Sequence, residues 1–337
     1  MFGFRLFPCC RSSFFGFPGY VRPFAVSLLL LGCEHPNRQL VAEAPLISTT
    51  YQDDTRQAFR FFEPPGRLVL LSPSLVDLVQ ALGGADRIVA VSDRSLDFAQ
   101  QHHLPALTSY PDSAFDWQGL KSLVPSLVIA TDDQYEGVPY WREQAAQQGI
   151  PWFYLKMGSL SKVFAHIETL GRLVGKPAEA TDLAQRMRGF TQAMRGQWAG
   201  KRKPRAVLLI NQQPLVALGA EHYLTDMVEA AGAELPLARA GERYVTLTDS
   251  QLVAAQPDIL FMVTADPGYF NALLRLYPSL IHLPAVVQKR LIALPPSDYL
   301  HPGTNIPALL INLAGVAWPE VQLNDLYHRF FGQPTAR

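Results

Sequence analysis

Between Pro177 and Trp198 the apolar residues Ala180, Leu183, Met187, Phe190, Met194 and Trp198 recur at steps of three or four. That spacing places all six on one face of a helix, and the Arg, Gln, Glu, Asp and Thr between them leave the other face wet. Gly175 before Lys176-Pro177 is a left-handed stop followed by a first-turn proline, and Gly200 and Pro204 close the far end. At about 1.5 Å per residue the helix would span roughly 33 Å, enough to cross a small domain. Such a helix is either an ordinary surface helix or a strut between two lobes, and the flanking sequence decides between them.

Before it, strand and helix patterns alternate. Leu68 to Leu71, Ile88 to Val91, Leu127 to Ala130 and Pro151 to Leu155 read as short buried strands. A helix opened by Ser72-Pro73-Ser74 runs to Leu82, another covers Val138 to Gln148, and a third covers Leu160 to Val174. After the strut the pattern resumes, with strands at Ala206 to Ile210, Ile259 to Val263 and Leu291 to Leu294 and helices at Tyr223 to Ala231 and Ser250 to Ala255. Alternation of this kind argues for parallel sheets flanked by helices. The halves also echo each other: Leu75-Val76-Asp77-Leu78-Val79-Gln80-Ala81-Leu82-Gly83-Gly84 matches Leu224-Thr225-Asp226-Met227-Val228-Glu229-Ala230-Ala231-Gly232-Ala233 at five of ten positions. Each half carries a short helix, a proline and a buried strand, around Pro125 and Pro257. The expected fold class is therefore α/β, two Rossmann-like lobes with parallel sheets bridged by one long helix. The expected boundaries are 67–158 for the first lobe, 159–200 for a helical region containing the bridge at 177–198, and 201–337 for the second lobe.

A chain of 337 residues, 48% hydrophobic and 17% charged, has material for about two such domains. Its formal net charge of zero points to no nucleic-acid partner. Residues 1–32 hold Arg5, Arg11 and Arg22, no acid, and an apolar run from Pro23 to Leu31 too short to span a bilayer, which reads as a secretion signal. The signal is long and proline-broken, so translation is expected to begin at Val21-Arg22. The run ends Leu30-Leu31-Gly32-Cys33, which resembles the bacterial lipobox, and the resemblance implies that Cys33 is lipidated and opens the mature chain. Glu34, where an aspartate favours inner-membrane retention in Gram-negative lipoproteins, leans toward the outer membrane. All three cysteines, Cys9, Cys10 and Cys33, lie in this region, so the rest of the chain has no disulfide or thiolate metal site. Removing residues 1–32 takes three arginines from a balance of 29 basic and 29 acidic residues and leaves a formal charge of −3. Residues 33–66, polar and proline-dotted, read as a tether.

From Arg67 to Glu320 the chain resembles the periplasmic substrate-binding proteins for vitamin B12, ferric siderophores and haem. The resemblance is carried by Arg67-Leu68-Val69-Leu70-Leu71-Ser72-Pro73-Ser74, Val89-Ala90-Val91-Ser92-Asp93, Leu123-Val124-Pro125-Ser126-Leu127-Val128-Ile129, Gln256-Pro257-Asp258-Ile259-Leu260 and His301-Pro302-Gly303, in that order. It implies two lobes bridged by a long helix that limits closure, with a ligand held between them. Parallel sheets place ligands beyond the carboxyl ends of their strands, so Ser72, Ser74, Ser92 to Arg94, Asn211 to Gln213 and Pro295 to His301 are expected to face the gap. Tyr110, Trp117, Tyr244 and Tyr299 are candidates for flat contact with a large conjugated or metal-chelated ligand. By resemblance, Tyr110 and Tyr244 stand near pocket tryptophans, and Asp298-Tyr299 stands where the vitamin B12 binders present an acid followed by an aromatic.

Two departures bear on function. Siderophore binders often place arginine in the late loop, where this chain has His301-Pro302-Gly303-Thr304-Asn305, which disfavours a strongly anionic ligand. The glutamates that dock family members onto their permease are replaced by Gln118 and Ser250, with Asp116 and Asp249 as possible substitutes. His102-His103 has no spaced carboxylate partner and reads as loop rather than metal site. Gly171 to Pro177 imitates a phosphate loop with the wrong spacing, and no nucleophile elbow, zinc helix or dinucleotide fingerprint is present. The expected function is that of a periplasmic lipoprotein, not an enzyme, that needs no cofactor or bound metal of its own. It would bind a corrinoid or ferric siderophore and deliver it to ABC permease subunits. Haem binding through His301 or a tyrosine, and an outer-membrane accessory or scaffold role without import, are the alternatives.

Overall fold

The structure, a computed structural model, describes residues 48–108, 115–131 and 138–332. The expected signal peptide, the lipidation site Cys33 and Tyr110 lie outside these residues. The described chain opens with strands β1 (Thr49–Gln52) and β2 (Ala58–Phe61), an antiparallel hairpin within the span expected to be tether. Its turn is sticky by composition. Asp53 accepts hydrogen bonds from Thr55 and Gln57 within the turn, and its other oxygen accepts the Tyr154 amide. The tether expectation failed here because the hairpin is too short for its alternation to register in a sequence window.

The first lobe follows as β3 (Leu68–Leu70), α1 (Pro73–Ala81), β4 (Ile88–Ser92), α2 (Leu96–His102), β5 (Ala106–Leu107), α3 (Trp117–Ser122), β6 (Leu127–Thr131), α4 (Val138–Gln147) and β7 (Trp152–Leu155). Its sheet has the order β5-β4-β3-β6-β7 and is parallel throughout. The Asp53-Asp54 turn covers the free edge of β7, with Asp54 N donating to Tyr154 O at 3.0 Å and Lys156 N to the Asp54 carboxylate at 2.5 Å. An edge strand so covered cannot recruit another chain.

The helical region is α5 (Leu160–Leu173) and α6 (Pro177–Gly196), the anticipated bridge. The second lobe contains β8 (Ala206–Gln212), β9 (Leu215–Leu218), α7 (Tyr223–Ala230), β10 (Tyr244–Leu247), α8 (Asp249–Ala255), β11 (Ile259–Val263), α9 (Tyr269–Leu276), α10 (Pro284–Val287), β12 (Leu291–Leu294), α11 (Pro296–Tyr299), α12 (Ile306–Ala317) and α13 (Asn324–Phe331). Its sheet has the order β10-β9-β8-β11-β12. Here the all-parallel expectation needs correction, because β8-β9 and β9-β10 are antiparallel. Only two residues join β8 to β9, too few for the crossover that a parallel pair requires.

Alternate residues of each central strand face opposite ways. Leu68 and Leu70 of β3, with Leu208 and Phe261 of the second sheet, belong to one continuous core that runs through α1, α5, α6, α7, α12 and α13. Val69 and Leu71 face a separate outer cluster with Trp141 and Trp152, and Val207, Leu209 and Met262 face another with Leu273 and Leu280. The two sheets thus keep separate outer cores but share an inner one. The described residues all belong to one compact unit.

The bridge buries Ala180, Ala184, Met187, Phe190, Thr191 and Met194. At its start Gly171 allows α5 and α6 to touch, since a Cβ there would overlap the Ala180 side chain and Lys176 O. At its end the Trp198 indole donates to Ala230 O at 2.9 Å and stacks on Trp318, with centroids 5.1 Å apart and planes 6° from parallel.

Candidate functional site

The repeat seen in sequence places two aspartates at equivalent points of α1 and α7, and each reaches across to the other half of the chain. Asp77 on α1 accepts the Thr304 amide at 2.6 Å and the Thr304 hydroxyl at 2.9 Å, just before α12 begins. Asp226 on α7 accepts the Leu160 amide at 3.0 Å, at the first residue of α5. Each carboxylate therefore serves the amino-terminal end of a helix from the opposite half, where unsatisfied amides and the helix dipole favour an anion. Burial pushes the Asp226 carboxyl above its ordinary range, opposed by the Leu160 amide and by Arg195. Gly303 fits this clasp because any Cβ there would collide with the Asp77 carboxylate.

Beside the Asp77 clasp lies a cavity of about 190 Å³ lined by Pro73, Ser74, Asp77, Ser297, His301 and Asn305. It sits between the carboxyl-end turn of β3 and the late loop of the second lobe, where an α/β ligand site belongs. A second cavity, of about 250 Å³, adjoins it across Pro73 and Asp77 and is lined also by Arg94, Ser95, Asp97 and Phe98. Asn305 braces the late loop by accepting the Gly303 amide at 3.2 Å and donating to Asp298 O at 3.1 Å. Ser72 and Ser74 are buried at 0% and 1% exposure, and neither hydroxyl has a hydrogen-bond partner among the described residues.

The structure therefore brings Ser74 and His301 to one cavity wall, with Ser72 next to Ser74 in the turn. Asp298 is exposed, its carboxylate accepting from Ser297 Oγ at 3.0 Å. Tyr244 opens the edge strand β10 at 41% exposure, with the Arg243 guanidinium 5.7 Å from its ring centroid. Two aromatics expected as flat contacts are packed elsewhere. Tyr299 is 7% exposed within the inner core, its carbonyl accepting the Tyr223 hydroxyl at 2.7 Å. Burial raises its phenol above the ordinary value, against a hydrogen bond with Asn312. Trp117 stacks on Trp141 at 5.4 Å and meets Phe115 edge-on at 4.8 Å in the outer cluster of the first lobe. His102 stacks on Phe98 at 4.2 Å. Among the described residues no cluster of three or more His, Asp or Glu side chains could hold a metal.

The expected docking positions start two equivalent short helices. Asp116 caps α3 by accepting the Gly119 amide at 2.7 Å, and Gln118 is exposed beside it. Asp249 accepts from Ser250 N and from Ser279 Oγ, both at 2.9 Å, while the Ser250 and Thr248 hydroxyls are hydrogen-bonded to each other. Both aspartates are thus engaged within the chain. Sequence reading missed Asp77 as a site residue, although it was the one acid shared between the two echoing helices.

A sequence model described as a periplasmic binding protein matches residues 68–297. A curated relative from Vibrio parahaemolyticus serotype O3:K6, named a vitamin B12-binding protein, is 25% identical over 205 residues, covering 59% of this chain and 71% of that one. The fold is shared with a periplasmic heme binding protein from Pseudomonas aeruginosa, with a TM-score of 0.65 and 23% identity over 77% of this chain and 94% of that one. It is shared too with Helicobacter pylori CeuE with Ni(II) bound, with a TM-score of 0.69 and 19% identity over 86% of this chain and 97% of that one.

Proposed function

The chain belongs to the periplasmic binding protein family, and from that premise we propose that it is a lipoprotein that holds a metal chelate, a corrinoid or ferric siderophore, between its lobes and passes it to the permease subunits of an ABC importer. The observation that carries this reading is the cavity of about 190 Å³ beside the Asp77 clasp, bounded by residues from both lobes and fringed by hydroxyls, an amide and an imidazole, with a second cavity of first-lobe residues adjoining it. Such a wall binds without reacting, and its work is to surround a bulky guest and exclude water. The names of the similar proteins, which speak of vitamin B12, heme and nickel, support a metal chelate as the guest. Tyr110 and Tyr244 would add flat contacts, Asp298 and His301 polar ones. Lipid on Cys33 would hold the protein to a membrane facing the periplasm, with the outer membrane favoured. Because the bridge packs along its length into the shared inner core, lobe closure on binding is small.

One observation favours a second reading, an outer-membrane accessory or scaffold lipoprotein on this fold. Gln118 and Ser250 stand at the docking positions in place of glutamates, and the neighbouring acids Asp116 and Asp249 each accept hydrogen bonds within the chain. Calorimetry on residues 34–337 against cyanocobalamin, several ferric siderophores and haemin separates the readings. Tight uptake of one chelate supports a delivery role, uptake of haemin with a Soret band selects the haem alternative, and silence toward all of them selects the accessory role.

A further inference from the structure

Four serine hydroxyls stand where the neighbouring strands β3 and β4 end and their helical turns begin. Ser72, Ser74, Ser92 and Ser95 are each at least nine-tenths buried, and none of their Oγ atoms has a hydrogen-bond partner among the described residues. Folded proteins leave few buried polar groups unmade, because each one costs free energy that a bond would return. These four have local outlets that they do not take. Ser72 occupies the N-cap of α1 with extended backbone, at φ −141° and ψ 138°, yet its side chain caps nothing. Ser92 stands in the same relation to the 3-10 turn Asp93–Ser95 and likewise makes no cap bond. Ser74 lines the cavity of about 190 Å³ and Ser95 the adjoining one of about 250 Å³, with Pro73 and Asp77 bordering both.

We propose that the two that line the cavities, Ser74 and Ser95, form a hydrogen-bonding ledge for uncharged amide or hydroxyl groups on the rim of the bound chelate. The proposal rests on the ligand-binding reading above and deepens it. A serine hydroxyl both donates and accepts, which matches a carboxamide, a group that does the same. The charges around the two cavities argue against an anionic rim. Asp77 and Asp97 are set against the single guanidinium of Arg94, so a carboxylate entering here would be desolvated without a surplus cation to meet it. The ledge therefore selects among metal chelates by rim chemistry, favouring amide-fringed ligands over those fringed with carboxylates.

The test compares cyanocobalamin with its monocarboxylic acid derivative, in which one rim amide is hydrolysed, and with haemin, for the wild type and for Ser74→Ala and Ser95→Ala. Affinity is read by calorimetry and the melting temperature is read without ligand. Each substitution should weaken cyanocobalamin binding about 3- to 10-fold, the worth of one neutral hydrogen bond. The unliganded melting temperature should hold or rise, because a hydroxyl without a partner has been removed. The wild type should bind the amide form more tightly than the acid. Unchanged affinity in both variants, a drop of several degrees in unliganded melting temperature, or preference for the acid or for haemin overturns the ledge while leaving a ligand-binding protein in place. A wild type silent toward all three probes and toward ferric siderophores removes the ligand reading itself, and the ledge with it.

Discussion

Val124 has φ of 45° and is 73% exposed, a left-handed backbone on a β-branched residue that nothing packs in place. That conformation costs a non-glycine residue roughly 1–2 kcal/mol, and asparagine tolerates it better. Val124→Asn should therefore raise stability by about 1 kcal/mol in urea unfolding, and a lower midpoint would show the strain to be absent. His222 is the opposite case, a buried residue whose chemistry is fixed by its surroundings. Its Nδ1 accepts the Leu224 amide at 3.1 Å, so the ring is neutral with its proton on Nε2. Burial, helped by the Arg243 charge, pushes its pKa down from 6.5 to about 3. Below pH 6.5 the unfolded chain takes up a proton that the folded chain refuses until about pH 3. Stability should accordingly fall on acidification through that window, by up to about 1.4 kcal/mol per pH unit from this group. His222→Asn, which can still cap α7, should flatten the decline measured between pH 6.5 and pH 4; an unchanged slope would place the effect in other groups.

Among the elements, the bridge shows how far periodicity reaches. Its six-residue apolar stripe was readable in sequence, and five of those residues are buried while Leu183 is half-buried. What periodicity could not reveal is how each end is fastened. The start depends on Gly171 meeting Ala180, and the end on Trp198 wedged between the Ala230 carbonyl and the Trp318 ring. Trp198→Ala should cost about 3–5 kcal/mol through the cavity it leaves, and Trp198→Phe distinctly less. Equal losses in the two variants, measured by urea unfolding, would locate the contribution in the indole hydrogen bond rather than in packing. The hairpin β1-β2 and the antiparallel pair β8-β9 went unread for a related reason. Short strands and two-residue turns carry too few residues to establish a period, and their identity comes from the strand they pair with.

At the scale of the whole molecule, the two halves are joined by more than the bridge. Val124 and Gln256 hold the same left-handed conformation before equivalent prolines, which confirms in backbone the repeat first seen in residues. Asp77 and Asp226 turn that repeat into reciprocal clasps. Asp77→Ala and Asp226→Ala leave amides without their carboxylate and should each cost about 1–3 kcal/mol. The clasps share no partner, so the double variant should show nearly the sum of the two losses in chemical unfolding. A loss in the double variant well above that sum would mean that the clasps act as one unit. Asp226→Asn should be much milder, since the amide oxygen can still accept Leu160 N without burying a charge. Residue order alone was enough for the α/β alternation, the repeat, the bridge and the serine turn after β3, because each is written in local spacing. The folded chain was needed to show that the inner core is shared, that Tyr299 and Trp117 pack inward, and that Asp77 meets Thr304. Those outcomes depend on contacts between residues far apart in the chain, where solvent exclusion and geometry, rather than spacing, choose the partner.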